Sequence, residues 1–157
     1  MKFEDFVCSD AIVTNLTSTD RDGVITELVA AIDKAGGLGE NNCQAITIAV
    51  INRENEASTG MGKGIAIPHV KHRGVENIVA TIGRSAAGID FAALDRQPVY
   101  CIILLISPAA DPDIHLQAME TIFRCVQQEN FRKFLRHAST VEEINDLLQE
   151  ADETPSL

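Results

Sequence analysis

Aromatic residues and long apolar runs are both scarce in this chain of 157 residues. Tryptophan is absent and aromatic residues make up only 4%, although 45% of all residues are hydrophobic. The core must therefore be built from aliphatic side chains, and a chain of this length is large enough to bury one. The longest apolar run, residues 99–106, suits a buried strand and is too short to span a membrane. We expect no membrane insertion.

Basic residues are outnumbered, since 13 Lys and Arg face 23 Asp and Glu and the formal net charge is −10. Nucleic-acid binding requires clustered Lys and Arg, so the net charge argues against this class of partner, whereas an acidic surface suits a basic protein partner. The four cysteines form no CxxC pair, and three of them lie in apolar runs, as buried free thiols do. The first residues also lack the basic-then-apolar order of a signal peptide. We expect a cytoplasmic protein without disulfides.

Hydrophobic periodicity predicts five helices. The first follows Thr19 and Asp22, which stand at capping-box spacing, and ends at Gly36. The length of segment 40–53 favours a second helix in spite of its β-branched residues, and Asp111 followed by Pro112 predicts the start of a third. Two more helical segments lie near residues 131–137 and 140–149.

Strands are predicted at residues 65–67, 78–84 and 99–106, with a turn into a short strand at 88–91 and a loop over 54–64. Helices before, between and after strands indicate an α/β fold, a layered sandwich in which a small mixed sheet is flanked by helices. We predict a single domain over residues 1–150, followed by an acidic flexible tail at 151–157.

His69 is the first candidate for chemistry. Pro68 has no N–H and ends regular pairing at a strand edge, so His69 is expected on a stiff turn beside a loop that contains three glycines. A neutral imidazole nitrogen is a competent nucleophile toward a phosphoryl group. The residues alone support an ordinary turn histidine and a functional one about equally.

Two further residues have both a structural and a functional interpretation. His115 lies in the first turn of the third helix, either at the rim of the core or near an anion bound at the helix start. Arg53 near the end of the second helix is either solvated or folded over to bind phosphoryl oxygens. His69, His72 and His115 lack zinc-ligand spacing, so no metal site is predicted.

The pattern around His69 resembles the fructose/mannitol-type enzyme IIA family of the bacterial phosphotransferase system. Its eight constrained signature positions are met by Glu54, Met61, Gly62, Ile65, Ala66, Ile67, Pro68 and His69. The family's arginine before and second histidine after the phosphorylated histidine correspond to Arg53 and His115. The Leu28-Val29 helix, its Gly-Gly end and Ser58-Thr59-Gly60 resemble the stand-alone nitrogen-regulatory branch. The one departure is Val70, where Gly, Ala or Cys is usual, and its β-branched side chain is expected to add bulk beside the phosphoryl site.

This resemblance implies a phosphoryl relay that needs no cofactor. His69 would accept a phosphoryl group on Nε2 from an HPr-type phosphohistidine protein, while His115 and Arg53 would hold the phosphoryl oxygens. The chain would count as an enzyme only as a phosphotransferase component. A regulatory, nitrogen-type phosphocarrier is the first hypothesis. The alternatives are a transport component that passes phosphate to a separate IIB protein for sugar uptake, and a binding module of the same fold that is not phosphorylated.

Overall fold

Strand β5 (Val99–Pro108) lies at the centre of the sheet. The computed structural model describes residues 1–154, and within them five helices surround five strands. The helices are α1 (Arg21–Lys34), α2 (Cys43–Glu56), α3 (Pro112–Val126), α4 (Glu129–His137) and α5 (Val141–Glu153). The other strands are β1 (Gly60–Gly62), β2 (Ile65–Ala66), β3 (His69–His72) and β4 (Val79–Ile89). No helix in this part of the chain is long and apolar enough to cross a membrane.

Both faces of β5 are buried, which explains why its sequence is apolar without alternation. Cys101, Ile103 and Leu105 belong to a core cluster that also contains residues of α3, α4 and α5. Ile102, Leu104 and Ile106 alternate with them on the opposite face and belong to a second core cluster, which contains residues of α1 and α2. The sheet is mixed, because β5 pairs parallel with β2 and β3 and antiparallel with β4. The predicted sandwich of helices around a small mixed sheet is confirmed.

Pro68 interrupts pairing without ending it. Ile65 pairs with Cys101 and His69 pairs with Leu105, so β2 and β3 keep one parallel register along the same edge of β5. The prediction that regular pairing ends at Pro68 is therefore wrong. The N–H that Pro68 lacks is not needed, and its carbonyl still accepts the N–H of Leu105 at 3.0 Å. This register places the His69 side chain at a defined height on the central strand.

Three other predictions differ from the structure in their boundaries. The cap of α1 is Asp20, whose carboxylate accepts the N–H of Gly23 at 2.7 Å, rather than a box formed by Thr19 and Asp22. The predicted loop 54–64 is shorter, because α2 continues to Glu56 and β1 forms within it. The separate strand expected at residues 88–91 is not formed, because Gly88 and Ile89 are the end of β4, which is 11 residues long, and residues 90 and 91 lie outside it.

The predicted tail begins too early, because α5 continues through Glu153. The Asp152 carboxylate accepts the backbone N–H groups of Phe3 and Glu4, at 2.7 and 3.1 Å, at the start of a short 3-10 helix. A residue that caps another element is ordered by it, which keeps the last turn of α5 helical. The rest of the predicted tail, from residue 155, lies outside the described residues.

We predict that Asp152→Ala lowers the free energy of unfolding by about 1 kcal/mol, the usual effect of removing a capping carboxylate. Urea denaturation measures the difference. Asp146→Ala is the matched control, because Asp146 is exposed on the same helix and its side chain makes no hydrogen bond within residues 1–154. Equal stability of the two variants would show that the contact between Asp152 and the N-terminal segment contributes nothing.

Candidate functional site

The backbone determines which nitrogen of His69 carries the proton. Nδ1 of its half-buried ring lies 2.8 Å from the carbonyl oxygen of Ile67, two residues earlier. A carbonyl oxygen can only accept, so Nδ1 must be the donor in this bond. The neutral ring then has its lone pair on Nε2. Local backbone geometry at the Pro68 break thus leaves Nε2 as the nucleophilic atom.

A second imidazole faces His69 from the neighbouring helix. His115, in the first turn of α3, is buried, and the centroids of the two rings are 5.6 Å apart at an interplanar angle of 46°. Its Nδ1 is 2.7 Å from the hydroxyl oxygen of Ser107, a buried residue near the end of β5. The structure therefore brings together two of the three predicted site residues, and it adds Ser107, which the sequence analysis missed.

Electrostatics keep both rings neutral at physiological pH. Burial lowers the pKa of His69 below its ordinary 6.5, and the positive charge of Arg53 acts in the same direction. The hydrogen bond to Ile67 and the charge of Glu54 partly oppose this by raising the pKa. Burial lowers the pKa of His115 further, to about 4, with smaller contributions from His69 and Lys71. Neutral rings retain the lone pairs that nucleophilic chemistry needs.

Arg53 lies in the last turn of α2, and its charge reaches His69, as the pKa of that ring shows. Its Nη1 donates to the carbonyl oxygen of Ala57 at 3.0 Å, beyond the end of its own helix. This bond uses one of the five N–H donors of the guanidinium, so the others are available to an anion. The structure thus pairs His69 with His115, whereas Arg53 affects His69 only through its charge and forms no hydrogen bond to either histidine.

Glu54 is a buried carboxylate that connects helix α2 to the histidine strand. Its two oxygens accept the backbone N–H of Thr59 at 2.6 Å and the Thr59 hydroxyl at 2.7 Å. The carbonyl oxygen of Thr59 in turn accepts the N–H of Ile67 at 3.2 Å, and the carbonyl of Ile67 accepts the Nδ1–H of the His69 ring. Glu54 is one of the eight signature positions, and its sequence context predicts no role for it. The only sequence signal for this role is an acidic residue just before a Ser-Thr-Gly turn.

The chain packs closely around Gly60, in the segment that precedes His69. Gly60 must lack a side chain, because a Cβ atom there would lie 2.7 Å from the Cβ of Ala93.

Val70 packs against the core cluster of α1 and α2, since successive residues of a strand point to opposite faces. The expectation that Val70 adds bulk beside the phosphoryl site is therefore wrong, because its side chain points away from the face that carries the two histidines.

The fold and the paired histidines define an α/β domain in which one neutral imidazole faces a second. Residues 5–151 match the family described as phosphoenolpyruvate-dependent sugar phosphotransferase system, EIIA 2. The chain belongs to this family. Within residues 1–154, no group of three or more His, Cys, Asp or Glu side chains is arranged to hold a metal ion.

Curated relatives of two kinds are similar to the chain. The PTS system fructose-specific EIIABC component of Bacillus subtilis (strain 168) is 36% identical over 97% of the chain, which spans only 24% of that longer relative. The nitrogen regulatory protein of Bradyrhizobium diazoefficiens is 32% identical over 94% of the chain and 95% of its own length. The chain thus corresponds to one part of the first relative and to almost all of the second.

Solved structures agree with the fold. The nitrogen regulatory protein IIA-Ntr from Neisseria meningitidis superposes with a TM-score of 0.82 at 25% identity, covering 91% of this chain and 96% of that one. A complex of the mannitol enzyme IIA and phosphorylated enzyme IIB from Escherichia coli has a TM-score of 0.75 at 18% identity, with 91% and 96% coverage. The second likeness shows the fold alone.

We predict that Glu54→Gln lowers the free energy of unfolding by about 1–3 kcal/mol. The neutral amide of Gln removes the charge that strengthens both hydrogen bonds to Thr59, and it can keep both only if the Thr59 hydroxyl turns round to accept from the amide nitrogen. The Nδ1–H resonance of His69 should also shift in a proton–nitrogen NMR spectrum, because the loop that orients Ile67 relaxes. Glu56→Gln, an exposed change in the same helix, is the control. A Glu54→Gln protein with the stability of the Glu56→Gln protein would exclude this connection.

His115 should make the fold sensitive to acid between its ordinary and its lowered pKa, 6.5 and about 4. Below pH 6.5 the unfolded chain binds a proton at His115 while the folded chain does not. The free energy of unfolding therefore decreases as the pH is lowered, until the folded ring is also protonated. Within this window, His115 contributes a slope of the free energy of unfolding against pH that approaches about 1.4 kcal/mol per pH unit.

Urea denaturation at a series of pH values measures this effect. His115→Asn should show a shallower loss of stability across this window than the parent chain. Ser107→Ala is the complementary control, because it removes the hydrogen bond to His115 and keeps the imidazole. It should lower the free energy of unfolding at every pH and leave the pH dependence unchanged. Identical slopes for His115→Asn and the parent chain would contradict the lowered pKa.

Proposed function

We propose that this protein is a phosphocarrier in which Nε2 of His69 accepts a phosphoryl group from an HPr-type phosphohistidine protein. The observation that carries the proposal is the hydrogen bond from Nδ1 of His69 to the Ile67 carbonyl, which leaves Nε2 unprotonated. The family membership of residues 5–151 supports the same chemistry. Because the pKa of His69 is lowered, the nucleophilic form is populated at neutral pH without a separate base.

In the proposed transfer one N–P bond forms, one N–P bond breaks and no proton has to move. The Nε2 lone pair of His69 forms the new N–P bond while the N–P bond of the donor breaks, and the released electron pair stays on the donor imidazole. Phosphorylated His69 keeps its proton on Nδ1, so its ring gains positive charge. The carbonyl oxygen of Ile67 stabilises that charge through the hydrogen bond already present. Alignment and charge stabilisation are the main tasks of a protein in such a transfer.

We assign His115 and Arg53 to the phosphoryl oxygens. The centroid separation of 5.6 Å brings His115 close enough to meet a group attached to His69. If the Ser107 hydroxyl donates to Nδ1 of His115, then Nε2 of that ring carries a hydrogen and donates to phosphate. Arg53 would exchange its bond to Ala57 for a charge-assisted bond to the phosphoryl group.

The proposed donor is a small HPr-type carrier, and the proposed acceptor is a regulatory target or a IIB protein. The net charge of −10 favours the approach of a basic partner surface. The proposed compartment is the cytoplasm, where reducing conditions maintain free thiols such as Cys8, Cys43, Cys101 and Cys125.

Among the possible roles, we favour a regulatory one over sugar transport. Support comes from the nitrogen regulatory relatives, since the chain spans 95% of the Bradyrhizobium protein and superposes on the Neisseria protein with a TM-score of 0.82. The 36% identity to a fructose-specific component is the observation on the side of transport. A functional test therefore has to distinguish acceptance of phosphate from its destination.

Intact-protein mass spectrometry after incubation with phosphoenolpyruvate, enzyme I and an HPr-type carrier tests acceptance. One acid-labile phosphoryl group should be added to the parent chain and none to His69→Ala. His115→Ala should still be labelled, but more slowly. His72→Ala is the matched control, because His72 lies at the end of the same strand, and it should be labelled at the parent rate.

Two results would contradict the proposal. Labelling that persists in His69→Ala would place the phosphoryl group elsewhere, and a lack of any adduct with cognate carriers would indicate a binding module that is not phosphorylated. The same labelled protein then tests its role. Rapid loss of phosphate to a fructose-type IIB protein would favour transport, whereas stable retention in its presence would support regulation.

A further inference from the structure

A groove rich in positive charge lies between the β1–β2 turn and helix α4. We call it the basic groove, and its cations are Lys63, Arg132, Lys133 and Arg136. The cavity they line has a volume of about 270 Å³, and it adjoins a second cavity of about 330 Å³, because Lys63, Ile65 and Arg132 line both. Neither the paired histidines nor Arg53 lines these cavities.

This clustering is unexpected for so acidic a chain. Four of its 13 Lys and Arg residues line the one cavity, whereas a single acidic residue, Glu129, does so. Within residues 1–154 only two ion pairs occur, Lys2 with Glu4 and Arg21 with Asp22. The cations of the basic groove therefore have no carboxylate within ion-pair distance in the described chain, although 23 acidic residues were available to provide one.

Several of these cations are held in place by neutral contacts. The guanidinium carbon of Arg136 lies 3.7 Å above the ring centroid of Tyr100, and Nη1 of Arg132 donates to the carbonyl oxygen of Val126 at 2.8 Å. Such contacts position a guanidinium without neutralising it, which reduces the entropy lost when an anion binds. Arg84 adds positive charge nearby, because its Nε donates to the carbonyl oxygen of Arg136 at 3.0 Å.

The turn that carries Lys63 is also constrained. Lys63 has a φ of +60°, an unusual value for a residue with a side chain, between Gly62 and Gly64 at +93° and +81°. The Asp95 carboxylate accepts the N–H of Lys63 at 2.9 Å and so stabilises this conformation. Positive φ values are usual in the tight turn between two antiparallel strands, and this turn fixes the backbone from which the Lys63 side chain projects.

The floor of the groove is chemically inert. Cys101 lines it, and burial raises the pKa of its thiol to about 12, in spite of the nearby charges of Arg84 and Arg136. A neutral thiol is a poor nucleophile, so the groove is suited to binding rather than to covalent chemistry.

The basic groove and the histidine pair lie at different positions along the same strand pair. Ile65 at the groove pairs with Cys101, whereas His69 pairs with Leu105. Four residues of strand separate these points by about 13 Å at the usual rise of about 3.3 Å per residue. A ligand in the groove would therefore not contact the proposed phosphorylation site directly.

We propose that the basic groove binds a small molecule that carries two or more phosphate groups. Guanidinium and ammonium groups converging on one concavity match the charge and the acceptor oxygens of such a ligand. The cavity is near the lower end of the range of ~300–1,000 Å³ typical of small-molecule sites, which favours a compact anion over an extended acidic protein surface. This site is distinct from the phosphoryl group on His69 and does not depend on it.

Titration with inorganic tripolyphosphate tests the proposal, by calorimetry at low ionic strength and by proton–nitrogen NMR. We expect saturable binding of one ligand per chain, with chemical-shift changes at residues 63–65 and along α4. Lys133→Glu should weaken binding about tenfold, as expected for loss of one charge-assisted hydrogen bond. Lys133 is exposed, so this change should leave the fold intact, as a thermal melt will verify.

Two matched variants define the outcome. Lys34→Glu makes the same charge change on an exposed helical residue of α1, on the opposite face of the sheet, and should bind tripolyphosphate like the parent. His69→Ala should also bind normally, which separates this site from the proposed phosphocarrier function.

Four results would overturn the proposal: absence of saturation, equal weakening by Lys34→Glu and Lys133→Glu, shift changes confined to the histidine pair, or tighter binding of polyglutamate than of tripolyphosphate. The last would indicate a docking surface for an acidic protein.

Discussion

The parallel register between β5 and the interrupted strand β2–β3 is the constraint on which the rest of the molecule depends. It is enforced by burial of β5 on both faces, because a slip of one residue would exchange the side chains of its two core clusters. The same register sets His69 beside Leu105 and two residues short of Ser107, which contacts His115. Hydrophobic packing thus positions two polar side chains that are distant in sequence.

Within that frame, the chemistry of His69 depends on the backbone more than on neighbouring side chains. The carbonyl of Ile67 selects the tautomer, and burial lowers the pKa so that the ring stays neutral. Glu54 acts on the same histidine through Thr59 and Ile67, by a chain of hydrogen bonds that begins at a buried carboxylate. A buried carboxylate is stable here because both of its oxygens are hydrogen-bonded. Precision at the nucleophile therefore comes from the loop that precedes it.

Charge is distributed unevenly over this acidic chain. Acidic residues dominate its composition, yet the exposed end of α4 and the turn at Lys63 form a basic groove without ion pairs in the described residues. The histidine pair lies elsewhere on the same strands. The basic groove and the histidine pair are thus kept apart by distance along the strands, since four residues of β5 separate Cys101 from Leu105.

Much of this protein was determined by its sequence alone. Hydrophobic periodicity and composition were sufficient to predict five helices, the central strand and the α/β class. The segment that ends in Pro68 and His69 was sufficient to identify the family. Contacts between distant residues were decided only by the tertiary structure. Examples are the capping of the N-terminus by Asp152, the Ser107–His115 hydrogen bond and the inward packing of Val70. Local pattern records the preferences of neighbouring residues, whereas these contacts depend on how the strands and helices pack, which no short window of sequence contains.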